Sequence, residues 1–289
     1  MTPKSVVNSM EQSIGLLGRP RQLRDAIEQI LLEAGLNAAS AAELVSSLRA
    51  KVKSEIAQRQ AESERLGGIS TLHLRDNGDD IVFGSLCIFE NDSAQIKESK
   101  KNRLQVSAIH SGIRSLDFSK FERFGRSVLR ELGASEAKVT PHAGDQGIDF
   151  YGDITAGSLV GADPAILRLM HETKMILVGQ AKHYPDRMIG PAVVRELVGA
   201  LSLSRTYTFS KNNIDLLNDV QIRPFSPMLA LIFTSGDFTK GARYLAHRAG
   251  LVAFSGWQLA VFLADKGVGL IEKHGSSQFD LAAFEAWLA

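Results

Sequence analysis

Acidic, amide and basic side chains occur in the C-terminal half at two places where an apolar strand is expected. The first is Gly144-Asp145-Gln146-Gly147-Ile148-Asp149, in which a glycine-framed turn leads into a strand. Asp145 is expected to shape this turn. Because side chains alternate along a strand, Ile148 and Phe150 are expected to face one way and Asp149 the other.

The second place is the run Ile176-Leu177-Val178-Gly179-Gln180-Ala181-Lys182, an apolar strand that ends with two polar side chains. The same alternation places Gln180 and Lys182 side by side on one face. A lysine at the end of so apolar a strand is costly to bury unless a charged partner is present. A metal-bound carboxylate and a phosphate would be such partners.

Hydrolysis of a phosphodiester requires these groups. A divalent metal must hold the scissile phosphate and lower the pKa of a bound water, and carboxylate and carbonyl oxygens are suitable ligands. We predict as ligands the Asp149 carboxylate, the Gln180 amide oxygen and the main-chain carbonyl of Ala181. Lys182 would polarise the attacking water and offset the charge of the transition state. Glu122, on the preceding helix, would bring a second carboxylate.

The motifs FE at 121–122, GDQGID at 144–149 and QAK at 180–182 are followed by VRELVGAL and FTSGDFTKGARYLA. Together and in this order they resemble the Mrr-like family of restriction endonucleases, within the PD-(D/E)xK nuclease superfamily and of its QxK variant. The resemblance extends from Leu116 to about Leu270.

This resemblance implies a restriction-endonuclease-like α/β core, with a central mixed β-sheet flanked by helices. It implies Mg²⁺-dependent cleavage of double-stranded DNA, with Mn²⁺ as a substitute, and a role in restriction of foreign or modified DNA. In the family, the residues that match Asp149, Gln180 and Lys182 form the catalytic core, and the glutamate that matches Glu122 assists. Because cutting both strands usually requires two active sites, a homodimer or higher homo-oligomer is expected.

Several of these residues also have a structural interpretation. A lysine at a strand end is usually simply exposed, so the QxK pattern alone means little. Glu122 also fits a capping box with Ser119 or an ion pair with Arg126. We predict DNA contacts for Arg195 and His183, but an ordinary surface pairing explains Arg195 equally well.

Two other functions fit the same residues. One is a catalytically silent DNA-binding or regulatory module of the same fold, and the other is a structure-specific DNA repair nuclease. The intact Asp149 and Lys182 argue against the first, because a silent relative has little need for a lysine in an apolar strand. The second differs from a restriction enzyme in the DNA that it cleaves.

Alternating helices and strands predict an α/β domain over residues 116–289. Helices are predicted at 118–132, 191–203, 238–249 and 257–264, and strands at 137–140, 148–154, 175–184, 228–234 and 251–254. Two long connections, 156–174 and 204–227, interrupt this pattern. Thr234-Ser235-Gly236 ends a strand at the side where α/β proteins often bind ligands, although helix capping is the simpler explanation.

Residues 1–90 predict a smaller domain of helices followed by a β-hairpin. Helical spacing begins at Leu23, and a second helix opens with a capping box at Ser40. An Asn77-Gly78 turn then joins two strands within residues 69–89. This order of elements is compatible with a winged helix that serves in recognition or partner binding.

The second predicted helix carries the basic residues Arg49, Lys51, Lys53 and Arg59. They would contact phosphates or form a solvated face with nearby acidic residues. Residues 91–115 are polar and predict a linker between the two domains.

The composition excludes several classes of protein. The chain of 289 residues has a net charge of +1 and 44% hydrophobic residues, as in ordinary folded proteins, so any DNA-binding charge must be local. Its one cysteine, Cys87, excludes an intramolecular disulfide and a cysteine-rich zinc site. No apolar stretch approaches the ~20 residues of a membrane span, and no signal peptide is evident. We therefore expect a cytoplasmic protein with no membrane partner.

Overall fold

The structure, a computed structural model, describes residues 1–75, 80–140, 147–155, 173–205 and 227–289. Asp145, the Asn77-Gly78 turn and most of the two long connections lie outside these residues. The chain divides into two compact units. The first contains Met1–Gln105 together with His274–Ser277, and the second contains Val106–Lys273 together with Gln278–Ala289. No helix in the described ranges is long and apolar enough to cross a membrane.

The first unit combines helices with a three-stranded sheet. Its elements are α1 (Pro3–Ile14), β1 (Arg21–Gln22), α2 (Leu23–Glu33), α3 (Ala38–Arg65), β2 (Leu72–Arg75), β3 (Ile81–Gly84) and α4 (Ala94–Arg103). The strands pair antiparallel in the order β1-β3-β2. The expected helices and hairpin are confirmed. The winged helix stays a prediction, with which this order of elements agrees.

Three features of this unit differ from the expectation. α1 is an additional helix, which starts at a Thr2 capping box and buries Val6, Val7 and Met10 completely. α3 begins at Ala38 because Asn37, not Ser40, is its N-cap: the Asn37 side chain accepts a hydrogen bond from the Ser40 N–H at 2.9 Å. The segment 91–115, which was expected to be a linker, contains α4 and the helix that opens the second unit.

Three basic residues of α3 are paired with acidic residues of the same unit. Asp80, which is only 8% exposed, accepts hydrogen bonds from Arg49 and Lys53 at 2.9 and 2.8 Å. Arg59 forms an ion pair with Glu11 of α1 at 2.8 Å. These pairs favour a structural role for the three cations over phosphate contact.

The second unit is a mixed β-sheet flanked by helices. Its elements are α5 (Val106–Arg114), α6 (Phe118–Glu131), β4 (Lys138–Val139), β5 (Phe150–Thr155), β6 (Lys174–Lys182), α7 (Pro191–Arg205), β7 (Met228–Thr234), α8 (Lys240–Arg248), β8 (Val252–Phe254), α9 (Gly256–Lys266), β9 (Leu270–Lys273), β10 (Ser276–Phe279) and α10 (Leu281–Leu288). The five-stranded sheet has the order β4-β5-β6-β7-β8. Its first three strands are antiparallel, and β6, β7 and β8 are parallel. The predicted α/β class with a central mixed sheet is confirmed. β9 and β10 form an additional two-stranded sheet, of which Ser276 and Ser277 are grouped with the first unit.

One face of the sheet packs against α7 and α8. Their buried residues, including Val194, Leu197 and Ala242, join Val178 of β6 and Ile232 of β7 in one hydrophobic core. The strands β6 and β7 are continuous apolar runs, as expected for central strands that helices cover on both faces.

The other face lies against α6 at very short range. A Cβ atom at Gly125 of α6 would lie 2.3 Å from the Phe150 ring, and one at Gly179 of β6 would lie 2.2 Å from it. Phe150 is completely buried and stacks on Phe233, with ring centroids 5.0 Å apart. The two glycines therefore allow α6, which carries Glu122, to approach β5 and β6.

Candidate active site

Three of the predicted site residues are the last three of β6: Gln180, Ala181 and Lys182. β6 pairs with β7 in an unbroken parallel register from Ile176 to Lys182, which lies opposite Thr234. Because a regular strand alternates its side chains, the Gln180 amide and the Lys182 amine lie on the same face.

Asp149 reaches the same edge of the sheet from the neighbouring strand. It directly precedes β5 and is 8% exposed. Its N–H donates to the Gly179 carbonyl at 2.9 Å, and its carboxylate Oδ2 accepts from the Ala181 N–H at 2.6 Å. The carboxylate is therefore held at the residue between Gln180 and Lys182.

Asp149 is an extra residue in the pairing of β5 with β6. Phe150 pairs with Gly179, and the Asp149 N–H donates to the carbonyl of that same Gly179. Two residues opposite one form a β-bulge, which breaks the alternation of side chains. The prediction that Ile148 and Phe150 face the same way is therefore wrong. Ile148 belongs to the core beneath α7 and α8, whereas Phe150 lies against Gly125 of α6.

The side chain of Gln180 is buried at the end of β6. Gln180 is 1% exposed, and among the residues that the structure describes none donates a hydrogen bond to its Oε1. Its Nε2 lies beside Gly147, where a Cβ atom would approach to 3.2 Å. The φ of 81° at Gly147 also favours glycine there.

A buried acceptor without a donor is unfavourable, and a cation beside the Asp149 carboxylate would satisfy it. The residues present therefore fit a divalent metal ion. Within the described ranges there is no cluster of three or more His, Cys, Asp or Glu side chains that could hold a metal. The fit consequently depends on the Gln180 amide oxygen and the main-chain carbonyl of Ala181 together with one carboxylate.

Glu122 and Arg195 lie on the two helices that flank the sheet. Glu122 is half-buried near the start of α6, and Arg195 is exposed on α7. The N-cap of α6 is Asp117, whose side chain accepts from the Lys120 N–H at 2.7 Å. The capping box proposed for Ser119 is therefore not formed. The catalytic role of Glu122 and the DNA contact of Arg195 stay predictions.

His183 directly follows Lys182 and packs into an aromatic cluster. It is 9% exposed, and its ring centroid lies 5.6 and 5.3 Å from those of Phe118 and Phe121. Burial lowers the pKa of the His183 imidazole, and the nearby Asp117 carboxylate opposes this effect. A lowered pKa leaves the ring neutral at neutral pH. The predicted DNA contact of His183 remains untested.

Sequence reasoning missed a cavity at the same edge of the sheet. It has a volume of about 460 Å³ and is lined in part by His110, Arg114 and Trp257. The available sequence signal was Thr234-Ser235-Gly236 at the end of β7, because Gly236 contributes to the lining. The contribution of α5 could not be foreseen, since that segment was expected to be a linker.

Residues 113–211 match the model of Mrr_cat, a restriction endonuclease family. This part of the chain is therefore similar to the Mrr-like restriction endonuclease domain. The matched range includes Glu122, Asp149, Gln180 and Lys182.

Several solved structures are similar to this chain. MspJI restriction endonuclease in complex with a 27-mer oligonucleotide is 20% identical, over 70% of this chain and 39% of that chain, with a TM-score of 0.39. The DNA modification-dependent restriction endonuclease AspBHI is 13% identical over 72% and 44%, with a TM-score of 0.38. Restriction endonuclease FokI is 10% identical over 91% and 43%, with a TM-score of 0.33. This chain thus spans less than half the length of each. No curated protein matches the chain.

Proposed function

We propose that the chain is a metal-dependent endonuclease that hydrolyses phosphodiester bonds of double-stranded DNA and acts in the cytoplasm to restrict foreign or modified DNA. The family of residues 113–211 supports the nuclease activity. The choice of site rests on the hydrogen bond from the Ala181 N–H to the Asp149 carboxylate, beside the buried Gln180 Oε1. This contact brings a carboxylate and an amide oxygen from two strands to one edge of the sheet.

The metal ligands in this proposal are the Asp149 carboxylate, Gln180 Oε1 and the Ala181 carbonyl. Mg²⁺ prefers such oxygen ligands, and Mn²⁺ is expected to replace it. When bound, the ion polarises the phosphoryl group and lowers the pKa of a water molecule.

Lys182 is the cationic side chain of the proposed site, in addition to the metal ion. Its ammonium group orients the attacking water and offsets the negative charge that builds on the phosphate as the water oxygen bonds to phosphorus and the sugar oxygen leaves. Glu122, near the start of α6, assists as a second carboxylate.

Nicking of supercoiled plasmid in the presence of Mg²⁺ tests the proposed site. We expect Asp149→Ala and Lys182→Ala each to reduce the nicking rate by about 100-fold or more, because each removes charge stabilisation of the transition state. A chelator should abolish the activity of the wild type, and Mg²⁺ or Mn²⁺ should restore it.

The same pair of strands offers matched controls at its opposite end. Lys174 and Asp153 form an ion pair of 3.1 Å there, and the Lys174 side chain is 76% exposed. Lys174→Ala and Asp153→Asn should therefore nick at rates close to the wild type. Equal nicking by the wild type, Asp149→Ala and Lys182→Ala would refute the site, whereas no nicking by any of them would favour the silent module.

The restriction role is tested by the choice of DNA. Methylated, unmethylated and branched duplexes of the same sequence are cleaved side by side, and the rates are compared. A restriction enzyme should cleave unbranched DNA with a preference set by modification. Cleavage of branched DNA alone would replace restriction with a repair function.

A further inference from the structure

The cavity of about 460 Å³ opens where the three parallel strands of the second unit end. Its lining includes residues 185–188 after β6, Gly236 and Asp237 after β7, and Ser255 and Trp257 after β8. In α/β sheets, ligands bind in the crevice outside the carboxyl ends of parallel strands. Lys182, the last residue of β6, lies at this same edge.

Close main-chain contacts give the cavity a fixed shape. A Cβ atom at Gly236 would lie 2.3 Å from the Tyr184 carbonyl oxygen, and one at Gly256 would lie 2.3 Å from that of Ser235. The Gly256 N–H also donates to the Gly236 carbonyl at 2.9 Å. The main chains of the segments that follow β6, β7 and β8 are therefore in direct contact with one another. A cavity that is already formed lowers the entropic cost of binding.

The cavity is lined by two arginines, Arg114 and Arg187, and by two aspartates, Asp186 and Asp237. Arg114 donates a hydrogen bond to Asp186 at 2.8 Å, and Asp237 is paired with Arg243. Carboxylates beside the guanidinium groups disfavour a bare anion such as phosphate. They provide both acceptors and donors, which the polar edge of a nucleobase requires.

Trp257 provides an aromatic surface in this polar setting. It is 40% exposed, and its ring meets that of His110 edge to face, with a centroid distance of 5.6 Å and an interplanar angle of 82°. It lies in the first turn of α9, which the capping box of Ser255 and Gln258 fixes. A rigid, partly exposed indole is a surface on which a base stacks.

We propose that this cavity binds a nucleobase, stacked on Trp257 with its polar edge toward Arg114 and Asp186. The assignment of this base to DNA rests on the proposed nuclease function: an unpaired or extruded nucleotide of the DNA substrate is held at the edge of the sheet that carries Lys182. The volume of about 460 Å³ lies within the range of small-ligand sites. A free nucleotide offers the same chemistry and is the other source.

The first test compares two DNA duplexes that differ by one unpaired nucleotide. Fluorescence anisotropy with Ca²⁺ in place of Mg²⁺ measures affinity independently of cleavage. The wild type should bind the duplex with the unpaired nucleotide about tenfold more tightly, and Trp257→Ala should abolish this preference. Trp257→Phe keeps a ring and should retain most of it. Tyr244→Ala removes a side chain that is 68% exposed and does not line the cavity, so the preference should persist.

The second test identifies the source of the base by titration with deoxynucleoside monophosphates. Binding in the cavity should quench the tryptophan fluorescence of the wild type. The same titration should give no quenching in Trp257→Phe, in which Trp287 remains as a reference. Preference for the unpaired duplex assigns the cavity to DNA. Quenching without that preference assigns the cavity to a free nucleotide. Either result supports the proposal that the cavity binds a nucleobase.

Absence of both signals, or a duplex preference that survives in Trp257→Ala, would overturn the proposal. Failure of the nuclease proposal is detected separately, because plasmid nicking depends on Asp149 and Lys182 and not on either binding signal. Normal plasmid nicking without base binding would therefore refute the nucleobase proposal and leave the nuclease proposal intact.

Discussion

At the scale of single residues, the close approach of α6 to the sheet depends on a glycine, which has no side chain. Gly125 faces the Phe150 ring, which is buried against Phe233 and has no room to move. Gly199 is also a helical glycine, in α7, but a Cβ atom there would meet nothing within 4 Å. Alanine substitutions at Gly125 and Gly199 therefore distinguish the effect of packing on stability from the effect of helix propensity.

We expect Gly125→Ala to destabilise the second unit by ~1–3 kcal/mol, because the added methyl group forces the buried ring or the helix to shift. Gly199→Ala should stabilise it by up to ~1 kcal/mol, because alanine favours the helix and contacts nothing. Urea unfolding followed by tryptophan fluorescence measures both, since both tryptophans, Trp257 and Trp287, lie in the second unit. A stabilising Gly125→Ala would mean that α6 does not pack this closely.

The direction of the Asp149 side chain is also decided by one residue. The period-two rule gives the face of a residue only while the strand is regular, and the bulge opposite Gly179 ends that regularity at Asp149. The motif could therefore identify the acid but not its direction. The hydrogen bond from the Ala181 N–H determines where the carboxylate lies.

At the scale of elements, boundaries follow from local chemistry where a strong apolar or capping signal is present. β7 spans Met228–Thr234, as predicted, because an apolar run in the middle of the sheet has sharp polar ends. α3 was predicted to start at Ser40, but Asn37 offers a side-chain acceptor three residues earlier and the helix starts there. Two capping candidates this close are not separated by sequence alone.

The N-cap of α3 leads to a prediction about the first unit. Asn37→Ala should lower its stability by ~1 kcal/mol, because the Ser40 N–H loses its acceptor. Ser40→Ala is the matched control and should have almost no effect, since its side chain does not cap the helix. Far-ultraviolet circular dichroism during urea unfolding reports the helices of this unit. A larger loss for Ser40→Ala than for Asn37→Ala would restore the predicted capping box.

At the scale of the whole molecule, the proposed nuclease carries one candidate active site per chain. A duplex has two strands of opposite direction, so a double-strand break usually requires two chains on the same DNA. The net charge of +1 provides little long-range attraction, so local groups and assembly must position the DNA.

Mixing active and inactive chains tests this assembly. When equal amounts of wild type and Asp149→Ala exchange subunits, roughly half of the dimers contain one active site. We expect nicked plasmid to accumulate at the expense of linear plasmid, relative to wild type at the same active-site concentration. The control mixes wild type with Lys174→Ala, which keeps both sites. An unchanged ratio of nicked to linear product would indicate that each chain cuts independently.

The sequence by itself determined the α/β class of residues 116–289 and the central strands, and it supplied the prediction of the candidate site residues. These depend on the order of apolar and polar residues along the chain, which is local information. Recognition of the family also needed only the order of short motifs.

Only the tertiary structure decided the bulge at Asp149, the contact of Gly125 with Phe150, the burial of the Gln180 oxygen and the cavity beside Trp257. Each depends on groups far apart along the chain: the Asp149 carboxylate and the Ala181 N–H are separated by 32 residues. A pattern read along one segment specifies which faces are apolar. It does not specify which atoms of another segment will meet them, because that contact is fixed by packing of the whole sheet and its helices.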